Sequence, residues 1–340
     1  MAKRWVNRPE GSTWGEFGED DQLGRLNLLT PRKVLEGIAE VKEGRTFCLS
    51  LPLDYPGESK LNPRRHPPQI TPCEQNGNVV YNMPMSRIKP GSTHVVSDDR
   101  VTLWTQYSTQ WDSLAHAGSW FDADGDGQPE IVYYNGYRAN IDIRGPVDYM
   151  QDARPLDGPY GAKALGVENM AASSIQGRAV LLDLHRRFGR RRVPAGWNEV
   201  EQVLKEDGLE VEAGDMLLVY TGYSDIVMEM QGKPDLKVLD TACGGLDGRD
   251  PRLLEWITDT GIAAICADNQ AVEAYDVRPP TLPLHMHCLF KTGVPLAELW
   301  YLKELAEWMR TQQRYRCLLT APPLRLTGAV GSPVTPVATV

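Results

Sequence analysis

The sequence predicts an α/β chain, with α+β as the alternative, in which one large domain carries a mixed β-sheet flanked by helices. Three observations predict it. Segments of helical periodicity are interspersed with short apolar runs of strand length. Hydrophobic residues make up 41% and charged residues 24% of 340 residues, enough for a sizeable core. Neither an internal repeat nor a low-complexity segment divides the chain, so a single domain is expected over residues 1–340.

The elements follow in order. Pro31 to Val41 reads as a helix, with Thr30 as N-cap and Pro31 at the first helical position. Thr46 to Leu51 reads as a strand. From about 54 to 100, Pro56, Pro63, Pro67, Pro68, Pro72, Pro84 and Pro90 prevent long regular elements, which predicts ordered loop and edge structure wrapping the domain. Arg178 to Leu184, Asp215 to Tyr220 and Ile262 to Ala267 read as strands. Trp197 to Lys205 has Val200, Val203 and Leu204 on one helical face, and Pro251 to Thr258 and Leu296 to Thr311 also read as helices. Ile262 to Ala267 runs into Asp268-Asn-Gln-Ala-Val-Glu273, which has two readings. It lines a ligand crevice at the carboxyl end of a buried strand, or it closes the strand in an Asx-type turn with Glu273 in solvent.

Several functions are disfavoured. A net charge of −9 lacks the basic face that a general nucleic-acid binder needs. The one basic run, Arg186-Arg187 with Arg190 to Arg192, is expected to be a solvated loop. No apolar stretch approaches the roughly 20 residues that cross a bilayer, and the start lacks the apolar core of a signal peptide, so no membrane partner and a cytoplasmic location are expected. Cys48, Cys73, Cys243, Cys266, Cys288 and Cys317 have no CxxC spacing, which disfavours a zinc ribbon and a dense disulfide framework. Ile175-Gln-Gly177-Arg has one glycine and precedes a strand, giving little support to nucleotide binding. Asp122-Ala-Asp-Gly-Asp126-Gly imitates the opening of a calcium loop, but the position that needs a bidentate glutamate holds Tyr133, so a turn between two strands is expected.

The most informative run is Gln106-Tyr-Ser-Thr-Gln110-Trp-Asp112-Ser-Leu-Ala-His116, which spaces four metal- and proton-handling side chains across eleven positions. A second cluster, His285-Met-His287 followed by Glu298, lies far downstream. Metal sites are commonly collected from two such remote stretches. On spacing alone, His116 reads more readily as a core histidine bonded to a carbonyl than as a proton carrier.

The run resembles the HxGTHxDxPxH signature of the metal-dependent cyclase family, which includes kynurenine formamidases and isatin hydrolases. The similarity extends from Trp14-Gly-Glu-Phe-Gly-Glu-Asp-Asp-Gln-Leu-Gly24 through Gly177 to Asp183, Gly214 to Gly222, Ala267 to Glu273 and His285 to Glu298, ending at Gly328-Ala-Val-Gly-Ser-Pro333. Gln106 and Gln110 stand where the family has histidine, Ser108 replaces glycine and Leu114 proline, while Thr109, Asp112 and His116 are kept. The QxxxQ pattern, with a glutamate 13 positions beyond a distant histidine, resembles the branch containing trans-dienelactone hydrolase; His285 to Glu298 supplies that interval and His287 does not.

The resemblance implies a cyclase-family (swivelling β/β/α-like) fold, with Gln106, Gln110, Asp112, His285 and Glu298 as ligands of a divalent metal ion, Zn²⁺ or Mn²⁺, and His116 as the proton carrier. Neutral, hard amide oxygens in place of two imidazoles weaken a zinc site and favour Mn²⁺ or another oxygen-seeking ion. Such an ion polarises a carbonyl and lowers the pKa of its water, so hydroxide attacks without a protein nucleophile. The implied reaction is opening of a cyclic ester, as in a dienelactone. The alternatives are amide or formamide hydrolysis, a biosynthetic cyclase or dehydratase, and a non-catalytic small-molecule binder. A small-molecule substrate and a homodimer or higher homo-oligomer are also implied, with Trp14 a candidate to cross the interface. Trp14, Trp104, Trp111 and Trp120 lie near the motifs, where core packing is the default for each.

Overall fold

The structure, a computed structural model, describes residues 4–274 and 281–340. Met1 to Lys3, part of the start read as lacking an apolar leader, lie outside the described residues. Nine strands of the described chain form one sheet: β1 (Thr46–Cys48), β2 (Gln110–Asp112), β3 (Gln176–Asp183), β4 (Met216–Tyr220), β5 (Ala264–Ala267), β6 (Leu296–Glu298), β7 (Arg316–Thr320), β8 (Gly331–Pro333) and β9 (Val337–Thr339). Their spatial order is β1-β9-β7-β3-β4-β5-β6-β2-β8. The four strands β3 to β6 run parallel and the flanking pairs are antiparallel, so the sheet is mixed as the sequence predicts.

The central strands are buried on both faces, which is why they read as unbroken apolar runs. Val180, Leu182, Leu217, Val219 and Ile265 face one core layer, where helices α2 (Trp197–Glu206) and α3 (Pro251–Thr260) contribute Val200, Val203, Leu253 and Ile257. Leu181, Met216, Leu218 and Cys266 face the opposite layer with Leu305 and Met309 of α4 (Lys303–Gln312). Helix α1 (Pro31–Ala39) starts as expected, with the Lys33 N–H donating to the Thr30 hydroxyl at 3.3 Å.

Two boundaries differ most from the sequence reading. The segment from Leu296 begins as strand β6, paired with both β5 and β2, and helix α4 starts only at Lys303. The buried sheet slot for Leu296, Ala297 and Glu298 overrides a pattern that satisfies helical periodicity equally well. The strand from Thr46 ends at Cys48, although Leu49 continues to bond the Pro336 carbonyl. The proline-rich stretch holds short, exposed strands, among them Gln69–Gln75, Asn78–Val80 and Asp99–Thr102 in a small antiparallel sheet. Ser119–Phe121 and Glu130–Val132 pair around the Asp122 to Gly127 turn, as predicted. The basic run is not the solvated loop expected: Arg186 and Arg187 lie in a short helix, Leu184–Phe188, and pair with Asp207 (2.6 Å) and Glu206 (2.8 Å), acids that the sequence pattern does not set beside them. No helix among the described residues is long and apolar enough to cross a membrane.

The topology positions a site. Parallel strands β3, β4, β5 and β6 end at or just before Asp183, Thr221, Asp268 and Glu298, so polar side chains collect along one edge, where ligands of open sheets bind.

Candidate metal centre

Register brings the two remote motifs together. In the antiparallel pair of β6 and β2, Glu298 lies opposite Gln110 and Leu296 opposite Asp112. Side chains alternate along β2, so Gln110 and Asp112 share one face while Trp111 enters the opposite core against Trp300. A short helix, Pro283–His285, then delivers His285 to the same place.

Asp112, His285 and Glu298 form a buried set whose ligand atoms all lie within 4.8 Å of one another. His285 Nε2 is 3.3 Å from Glu298 Oε1 and 4.0 Å from Asp112 Oδ2. Asp112 Oδ2 is buried and, among the described residues, has no hydrogen-bond partner. A wholly buried carboxylate oxygen without a donor is costly unless a cation meets it, so this donor set fits a divalent ion. One imidazole and two carboxylates are donors of the kind that divalent ions take.

Glu273 completes the support. It is 1% exposed, accepts the backbone N–H groups of Leu284 (2.9 Å) and His285 (3.0 Å), and bonds His285 Nδ1 at 2.8 Å. This bond directs Nε2 at the other donors. Of the two readings of the turn after β5, solvent exposure of Glu273 is therefore excluded. Burial opposes charge on His285, but hydrogen bonds and charge from Glu273 and Glu298 outweigh it and raise its pKa to about 10. Burial likewise favours the neutral form of Glu298, and the contact with His285 reverses that and lowers its pKa. A cation taken by Nε2 would displace the proton there, so its binding would release a proton.

The chain approaches Glu273 and Glu298 in strained form. Ala271 (φ 70°), Val272 (φ 57°) and Leu299 (φ 56°) are non-glycine residues in the left-handed region, and a branched residue rarely adopts it. The Asn269 side chain donates to the Val272 carbonyl at 3.2 Å, bracing the turn.

The remaining predicted residues border the set. Gln106 Nε2 donates to Asp112 Oδ1 and contacts His116 Nδ1 at 2.9 Å. Because that nitrogen is the donor, neutral His116 carries its proton on Nε2, which lies 3.9 Å from Asp112 Oδ2. Gln110 is wholly buried; with both ends of its amide satisfied, its nitrogen donates to the carbonyls of Gln106 (2.6 Å) and Ser108 (3.2 Å). Gly331 of β8 lies beneath Gln106, where a Cβ would come within 2.5 Å of Gln106 Cγ. His287 lies apart from the set: it bonds Thr258 Oγ1 at 2.9 Å, and burial lowers its pKa to about 4. Trp14 and Trp111 are fully buried in the chain's own core, Trp120 is exposed, and only Trp104 lines the approach to His116. A second acidic group, Asp122, Asp124 and Glu130, sits on the exposed hairpin turn. Arg65, not singled out from the sequence, donates from Nη1 to the Gln106 carbonyl at 2.6 Å.

Comparison with known proteins places these observations. The model of a family described as putative cyclase matches residues 48–274. A crystal structure described as a novel cyclase is 30% identical, covers 97% of each chain and superposes with a TM-score of 0.75. Isatin hydrolase A from Labrenzia aggregata, bound to benzyl benzoate, is 13% identical over 90% of this chain and 97% of its own, with a TM-score of 0.54. Isatin hydrolase A from Ralstonia solanacearum is 17% identical over 86% and 91%, with a TM-score of 0.53. At these identities the isatin hydrolases share the fold. No curated protein matches the sequence. The family match spans most of the chain and includes Gln106 to His116 and Glu273, and the chain belongs to the cyclase family.

Proposed function

We propose that this cyclase-family member is a metal-dependent hydrolase that opens a cyclic ester. The observation that carries the reading is the buried, unpartnered Asp112 Oδ2 facing His285 Nε2 beside Glu298. Asp112, His285 and Glu298 would hold the ion, and Gln106 and Gln110 border these three residues. When bound, the ion supplies Lewis acidity to a carbonyl and to water.

The chain's own groups do the rest. Glu273 fixes the His285 ring through Nδ1. Gln106 orients Asp112 and His116 together. His116 presents the proton on Nε2, so delivering it to a leaving group is the step its tautomer suits; accepting one there first requires that this proton move on. An enol leaving group, as from a dienelactone, demands little acid assistance, and the glutamine pattern supports the lactone reading. The fold shared with isatin hydrolases supports a cyclic amide as the second reading.

Chelation is expected to abolish hydrolysis of lactones, and added Mn²⁺ or Zn²⁺ to restore it, checked by turnover alongside elemental analysis. Full turnover by protein shown to be metal-free overturns the reading.

A further inference from the structure

Two clefts share His116 in their walls, and their linings are chemically distinct. The smaller, about 250 Å³, is lined by Arg64, Arg65, Trp104, Thr105, Gln106 and His116. The larger, about 570 Å³, is mostly apolar, with Ile131, Tyr133, Ile143 and Tyr160 among its walls. Thr105 and His116 belong to both, so the clefts meet at the proton carrier. Neither is lined by an aspartate or glutamate, although acidic residues outnumber basic ones by 45 to 36 in the chain.

The arginines of the smaller cleft are uncommitted in charge. Arg64 bonds the Asn62 side chain at 3.4 Å and Arg65 bonds the Gln106 carbonyl, and among the described residues neither meets a carboxylate within ion-pair distance. By contrast, Arg186, Arg187 and Arg310 each pair with an acid. The Arg144 guanidinium in the larger cleft is engaged by the Asp157 carbonyl. Beside the arginines, the His66 ring packs edge-on to Trp104 with centroids 4.6 Å apart, giving the cleft a flat aromatic wall. Positive charge concentrated in a concave, partly desolvated approach draws in anions, and guanidinium suits a carboxylate in particular.

We infer that the substrate is a carboxylate-bearing molecule with an apolar body: Arg64 and Arg65 take its carboxylate, the larger cleft takes its body, and the bond to be broken lies between them at His116. The inference rests on the reading of Asp112, His285 and Glu298 as the reaction centre. Arg64 and Arg65 are specificity determinants in it, since the carboxylate they hold is remote from the reacting carbonyl.

The test separates charge recognition from hydrolysis. Calorimetric binding of 4-phenylbutyrate and of its neutral amide is compared in the metal-loaded protein, in the chelated protein and in Arg64→Gln and Arg65→Gln. The acid is expected to bind more tightly than the amide, to keep that advantage after chelation, and to lose about tenfold in affinity in each variant. Its binding is also expected to weaken with salt, as screening requires. Arg64 is exposed, so its variant remains informative should Arg65→Gln fold poorly. No acid binding at millimolar concentration, equal affinity for acid and amide, or acid binding lost on chelation yet unchanged in Arg64→Gln overturns the inference. Hydrolysis of neutral lactones is read separately. Turnover with no arginine-dependent binding sinks the inference alone, and arginine-dependent binding with no turnover sinks the hydrolase reading alone.

Discussion

His116 and Glu298 share a neighbourhood but have separable duties. Glu298 lies in the donor set itself, so Glu298→Gln is expected to lose metal and rate together. His116→Ala is expected to keep its metal and lose about 10²- to 10⁴-fold in kcat, the usual contribution of a positioned acid or base. Glu273→Gln belongs between them: the ring of His285 loses its anchor, and metal affinity is expected to fall about 10- to 100-fold. Metal content per chain and single-turnover rates check all three. The sequence made Asp112, His285 and Glu298 visible because each sits in a recognisable spacing. It left Glu273 open between a ligand crevice and solvent, because the side chain turns back inward through a bend with two positive φ angles that no periodicity signals. It hid Arg65, since an arginine in a proline-rich stretch carries no pattern until the fold sets it against Gln106.

At the next scale up, helix starts were legible where a cap and a proline mark them, because caps are local. Thr30 before Pro31 behaves as expected, and Asp250 before Pro251 does the same for α3 while also accepting the Trp197 N–H of α2 at 2.7 Å. The Trp197 N–H, joined by those of Arg252 and Leu253, holds the Asp250 carboxyl below its usual pKa against the opposing effect of burial. The sign follows: the ionised form is the one the fold prefers, so its stabilisation is present above the ordinary aspartate pKa near 4 and fades as pH falls below it. Asp250→Ala is expected to cost about 1 kcal/mol at pH 7 and progressively less below pH 4, measured by urea unfolding at both values. Strand β6 was illegible for the converse reason. Leu296, Ala297 and Glu298 fit a helix by period, and only their partners on β5 and β2 make them a strand.

Across the whole molecule, the mixed sheet and its helical layers were legible because buried parallel strands are apolar throughout, whereas strand order, which no local pattern encodes, was not. That order is what unites the centre, since β2 comes early in the chain and β6 late. An ion bound only by the folded protein therefore adds to its stability by mass action, about 2.7 kcal/mol at free ion a hundred times its Kd. Thermal unfolding with and without Mn²⁺ or Zn²⁺ is expected to show that rise in the native protein and to lose it in Glu298→Gln.

The pairing of Glu298 with Gln110 has one more consequence. Because neighbours in a strand look to opposite sides, a slip of β6 by a single residue would turn Glu298 away from Asp112 and put Ala297 or Leu299 in its place. Correct alignment of this seam and possession of an intact grip on the cation are thus one event, and a chain cut anywhere between the two strands leaves each piece holding only half of that grip.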